Sequence, residues 1–259
     1  MNTRQPAVAG LFYPNDPREL ACEVDALLSQ EQREVIPNLR ALIVPHAGYI
    51  YSGSVAAAAF SCIPPDAKFK YVLLIGPSHR VAFQGMAVPL ADQFNTPLGN
   101  ISIAADKISE LVDNCLVSYN DLAHRQEHSL EVQLPFLQKI EIQADLIPVV
   151  VGNASASDVG RLILPALQDP EVLTVISTDL SHYHSYVKAK LIDEHTNQRI
   201  IIGDTDIRGD EACGYMGLNG LQWALISTDF KPHLLQCSNS GDSAGDKARV
   251  VGYGAYAIY

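Results

Sequence analysis

Two histidines stand just past the ends of apolar runs: His46 in "ALIVPHAGY" (residues 41–49) and His79 in "YVLLIGPSH" (residues 71–79). An imidazole held in a short loop after a strand is a rigid ligand for iron, zinc or copper. The glycines and prolines of "PHAGY" and "GPSH" suit tight turns that aim such a side chain. A third run, "VLTVISTDLSHYH" (residues 172–184), ends in Asp179, His182 and His184. The spacing of Asp179 and His182 would support a carboxylate-oriented imidazole acting as general acid or base. Helix capping by Ser177 or Asp179 beside a surface histidine is the bland competitor. His184 is expected to point elsewhere. For one histidine alone, a bond to a loop carbonyl is as good an account as a metal, but recurrence at strand ends favours a shared site.

The stretch "HRQEHSLEVQLP" offers His124, Glu127, His128 and Glu131 at the head of a helix. HExxH spacing is absent, which rejects a helical zinc motif. Glu127 and His128 read instead as pocket lining, either a carboxylate behind the ligands or an acid/base pair. The competing reading gives Glu127 only a favourable place near a helix N-terminus. Ser129 reads as a cap. Cys237, in "LLQCSNSGDS", sits where an apolar stretch breaks into a polar loop; buried and inert is the usual fate of such a thiol. Facing the two histidines, its thiolate would be a soft third ligand. Cys213, among the small residues of "EACGYMG", reads as structural, although it could approach the pocket. With no Gly-rich phosphate motif, CxxC or G-x-S-x-G, nucleotide binding and the usual serine hydrolases are disfavoured.

Bringing these groups together requires a sheet. Four continuous apolar runs ("ALIV", "YVLLIG", "DLIPVVVG", "VLTVIST") are separated mostly by helical segments, the pattern of a sheet covered on both faces. Ligands of such sheets gather outside the carboxyl ends of the strands, where His46, His79 and the Asp179/His182 pair fall. "DPRELACEVDALLSQ" predicts a helix with Asp16 and Pro17 at its start, and the alanines of "SGSVAAAAFSCI" suit a helix lying close on the sheet. "GMAVPL" and "ISIA" read as short strands around a turn-rich "ADQFNTPLGN". "SLEVQLPFLQKI" reads as a helix bent or broken near Pro135. A helical region is expected from "YVKAKLIDEHTNQRIIIG" through "GLNGLQWALIST", and the end as strand, polar loop and terminal strand.

The 259 residues, 47% of them hydrophobic, fit one α/β domain spanning 1–259. A formal net charge of −11, with no cluster of Lys and Arg, argues against nucleic acid or an anionic membrane as partner. The first residues lack the apolar stretch of a signal peptide, and no run approaches membrane-spanning length. Five scattered cysteines argue against a disulfide framework, and the expected location is the cytoplasm.

"AGLFYP", "PHAGYIYSG", "LIGPSH", "TPLGN", "EHSLEVQLPFL", "IPVVVG", "STDLSHY" and "EACG" occur in an order that resembles the MEMO family, also called the protein B component of the AmmeMemoRadiSam system. The resemblance runs from Ala9 to the terminal strand. That family is similar to the class III extradiol dioxygenases, which use non-haem Fe(II). It implies a three-layer α/β/α sandwich with a central, largely parallel (mixed) sheet. It further implies a mononuclear metal on His46, His79 and Cys237, with Fe(II) first and copper or zinc next, and His182 in the place of the dioxygenase base. A cysteine where the dioxygenases carry a glutamate would change the ion's charge and potential. Two functions follow from the resemblance. One is a metal-dependent, dioxygenase-like oxidoreductase of unknown substrate. The other is a catalytically idle adaptor that takes a peptide or small molecule in the inherited cleft, as eukaryotic members resemble adaptors for phosphotyrosine-containing peptides. The system's name implies radical SAM and AMMECR1-like proteins as partners.

Overall fold

The four apolar runs become adjacent parallel strands in the order Ala41–Val44, Val172–Ser177, Tyr71–Pro77 and Asp145–Val151. The structure is a computed structural model that describes residues 1–30 and 35–259. Every residue of Ala41–Val44 and of Val172–Ser177 is buried, which is why these strands read as unbroken apolar runs. Antiparallel strands extend the sheet on both sides. Val250–Ile258 pairs with Ala41–Val44 and carries Pro232–Asn239 and His182–His184, while Met86–Val88 pairs with Asp145–Val151 and carries Ser118–Tyr119. The result is a nine-stranded mixed sheet among the described residues.

Helices cover both faces, giving the expected three-layer α/β/α architecture. The helix Tyr49–Phe60 packs on Ala41–Val44 and Val250–Ile258, its four consecutive alanines Ala56, Ala57, Ala58 and Ala59 all buried. Pro17–Gln30 packs against it and begins as the sequence predicts: the Asp16 carboxylate accepts from the amides of Arg18 at 2.9 Å and Glu19 at 3.0 Å. Ala156–Gln168 and Tyr215–Leu225 pack on each other and on the central strands. Their approach needs glycine, since a Cβ on Gly160 would lie 2.3 Å from Trp223 Cε3 and one on Gly220 would lie 2.4 Å from Val159 Cγ1.

Three local readings are corrected. The "turn-rich" segment contains the strand Gln93–Thr96, which pairs with Gly99–Ser102 and Thr3–Arg4 in a small second sheet. Pro135 opens the helix Leu134–Lys139 rather than breaking one, because a first-turn proline has no amide to lose there. The helix Tyr186–Ile202 stops at Gly203, whose left-handed backbone ends it, and a non-helical stretch follows before Tyr215–Leu225. Among the described residues, no helix is long and apolar enough to cross a membrane.

Candidate metal centre

Strand order decides what meets. His46 follows Ala41–Val44, His79 follows Tyr71–Pro77, and Asp179 follows Val172–Ser177, the strand between them. The rings of His46 and His79 are 5.1 Å apart, and His128 lies 5.5 Å from the first and 4.7 Å from the second. One nitrogen from each of the three falls within 4.8 Å of the others, a set that could hold a metal ion. His128, expected behind the ligands, stands in the cluster itself. The group lines a cavity of about 810 Å³ whose wall also includes Asp179, His182, His184 and Cys213.

Hydrogen bonds determine which nitrogen each ring offers. The Ser177 hydroxyl donates its single proton to the Ser129 carbonyl at 2.6 Å and accepts from Gln133 Nε2 at 2.9 Å. His46 Nδ1, 2.9 Å from the same oxygen, must therefore be a donor, which leaves the Nε2 lone pair facing the cavity. Burial, and then the neighbouring histidines, push the His46 pKa well below its usual value, so that ring is neutral. His79 Nδ1 donates to Glu127 Oε1 at 2.8 Å, which frees its Nε2 in the same way. His128 Nδ1 is buried without a hydrogen bond, 3.4 Å from Glu127 Oε1, and burial lowers the ring's pKa to about 4 against the pull of that carboxylate. Three rings with available lone pairs suit a divalent ion.

Glu127 is the anchor behind them. Its carboxylate takes the His79 ring, the His79 amide at 2.6 Å, and the amides of His128 and Ser129 at 2.9 Å each. Burial opposes its charge, but the bonds from His79 and Ser129 outweigh that and hold its pKa at about 2. In Glu127→Gln the amide nitrogen meets donors instead of accepting from them. Metal affinity, measured by competition with a chelator, should fall roughly 10–100-fold. Unchanged affinity would reduce Glu127 to a helix-terminus role.

The cysteine is not the one the family resemblance indicated. Cys237 lies on the exposed edge strand opposite Gly254, and Asp193 and Asn197 influence its thiol, not the histidines. The sulfur beside the cluster belongs to Cys213, 3.2 Å from His46 Nε2. Burial, then the Asp179 charge, push its pKa up to about 12, so it is a thiol. Cys213 donates its amide to the Asp179 carbonyl at 3.2 Å. Gly214 donates to Thr178 Oγ1 at 2.8 Å, and a Cβ on Gly214 would lie 2.6 Å from Thr178 Cβ. That close approach is why Ala212, Cys213 and Gly214 are small: they let the loop reach the strand end.

Asp179 accepts the His46 amide at 2.7 Å and so holds the His46 loop against the end of its own strand. Its own pKa is pushed up to about 7 by burial, against the bond from His46. His182 and His184 both line the cavity, as does Tyr183 between them; the expectation that His184 points elsewhere was incorrect. His124 is a core histidine whose Nε2 lies 2.9 Å from the Ala87 carbonyl. Glu131 is buried in an ion pair with Arg4, a pairing that no sequence pattern anticipates.

A family model described as "Memo-like protein" matches residues 4–257. Curated relatives described as MEMO1 family proteins include one from Aquifex aeolicus, 35% identical with 98% of each chain covered. Another, from Methanosarcina mazei, is 35% identical over the whole of both chains. Among solved structures, an uncharacterized Escherichia coli K12 protein shares the fold, with a TM-score of 0.52 at 13% identity, over 85% of this chain and all of that one.

Proposed function

Since this chain belongs to the Memo-like protein family, and since its strand ends converge on imidazoles with free lone pairs, we propose that it is a metal-dependent oxidoreductase. It holds one ion on His46, His79 and Cys213, with His128 as the neighbouring donor. The single observation that carries this reading is the contact between Cys213 Sγ and the free Nε2 of His46. A cation would take the place of the thiol proton and join this sulfur to that nitrogen. A mixed imidazole and thiolate set suits iron first, then copper or zinc. Bound iron would supply electron transfer and Lewis acidity. The protein's own contribution is proton handling: His182, held neutral by burial, can take a proton on the cavity wall, and Asp179 is poised near neutrality to hold one. Exposed Leu11, Ile50 and Tyr183 around the same cavity favour a second reading, capture of a peptide or small molecule without turnover. Ligand binding that persists unchanged after chelation would support that second reading over the first.

A proton count tests the sulfur. Cys213 must lose its proton on ligation, so affinity should rise with pH throughout the range below about 12. At pH 8, where Asp179 is mostly ionised, loading Zn(II) should release about one proton per ion. Potentiometric titration should show this release abolished in Cys213→Ser and retained in Cys237→Ser. Equal release from wild type and Cys213→Ser would leave the ion on the three histidines alone.

A further inference from the structure

The cavity over the histidines carries two guanidiniums, Arg80 and Arg249, in a chain whose formal net charge is −11. Neither has a carboxylate partner among the described residues, whereas Arg4, Arg161, Arg199 and Arg208 each do. Arg80 directly follows His79, and its charge helps depress the His128 pKa. Arg249 lies over Tyr183, its guanidinium carbon 5.1 Å from the ring centre. Positive charge therefore flanks the cluster on the His79 side and on the His182–His184 side.

Tyr183 is itself unusual. Its φ of 61° is the left-handed conformation, unfavourable for a bulky residue, and its ring stays 64% exposed while the histidines on either side line the cavity. The register against Val250 and Val251 is irregular at this point, which holds the turn. Leu11 and Ile50 continue the same exposed apolar lining, 80% and 65% accessible. Of the two carboxylates on the wall, Asp179 is engaged by the His46 amide, which leaves Asp210, among the described residues, as the unpaired acid an anion must avoid.

We infer that this cavity selects small organic anions with a flat apolar body, the class of aromatic carboxylates, with the charge met by Arg80 or Arg249 and the body laid against Tyr183. Guanidinium offers a carboxylate a paired fork of donors, and a cavity of about 810 Å³ has room for the ring system as well. The inference rests on the proposed function for its site and names the ligand class of that site.

The test is calorimetric titration with 2-naphthoate and its uncharged counterpart 2-naphthamide, on the protein as purified and again after chelation. Naphthoate should bind roughly tenfold more tightly at low salt. Arg80→Gln and Arg249→Gln should each erode that preference, and Tyr183→Ala should weaken both probes, with circular dichroism confirming the fold. Equal affinities, no binding of either probe, or a preference that survives in Arg80→Gln/Arg249→Gln would overturn the inference. A preference that vanishes on chelation would assign the carboxylate to the metal and overturn it too. Metal content of the same samples is read separately, so loss of the metal reading with naphthoate selectivity intact would be recognised as such.

Discussion

The double variant His46→Ala/His79→Ala is expected to fold and to lose its metal, from about one ion per chain to background. Either substitution alone leaves one of these imidazoles together with His128 and the Cys213 sulfur, so single variants should retain a weakened site. Removing both leaves only His128 and the Cys213 sulfur of the four donors. The fold should persist because both rings sit in loops beyond strand ends. The bonds from Ser177 to Ser129 and from Gln133 to Ser177 also remain when the His46 ring is gone. Metal analysis together with thermal unfolding monitored by circular dichroism checks both halves. A folded double variant that keeps its ion would place the metal elsewhere.

Glu131→Ala should cause a severe loss of stability, well beyond that of any substitution at the histidine cluster. Arg4 and Glu131 form a buried ion pair, their side chains 6% and 0% exposed. The Glu131 carboxylate also accepts from the Ala7 amide at 2.8 Å, the Val8 amide at 3.0 Å and the Tyr13 hydroxyl at 2.7 Å. Burial and the Glu131 charge keep that Tyr13 hydroxyl protonated far above its usual range, so it remains a donor. Truncation leaves the Arg4 charge without its counter-ion and strips two amides and a hydroxyl of their carboxylate acceptor, which costs about 3–5 kcal/mol. For a chain of this size the melting temperature should fall by roughly 6–20 °C. Arg4 also donates to the carbonyls of Glu127 at 2.5 Å and His124 at 3.1 Å, so metal affinity should fall with stability. A shift of only a degree or two would mean that water replaces the carboxylate.

What the sequence made legible was whatever local patterning controls. Continuous apolar runs marked the parallel strands, and the histidines just past them marked the sheet edge where the cluster forms. The choice of cysteine was not legible by the same rule. Cys237 stands at an apolar-to-polar boundary, but that boundary belongs to an edge strand, where one face is open to solvent. Cys213 follows no apolar run at all. Its position is set by a loop pressed onto Thr178, and the available signal was the run of small residues itself, read as mere structure when it marks close approach. His128 was underestimated because a residue next to an anchoring glutamate looks like support. Nothing local marks Arg4 as the partner of Glu131, since the pairing arises only once the small second sheet brings the N-terminal strand to the helix head.

Those long separations also have a consequence for the order of events as the chain is made. Arg4 waits for Glu131, 127 residues later, and His46 waits for Cys213, 167 residues later. A ribosome adding about 5–20 residues per second therefore exposes a lone buried-type arginine and an open cluster for many seconds before either is completed. The His46–Cys213 contact closes a long loop, a late step in any folding sequence governed by chain entropy. On the proposed reading, an ion would meet its donors only once this late contact has formed, and would then stabilise the folded chain by mass action.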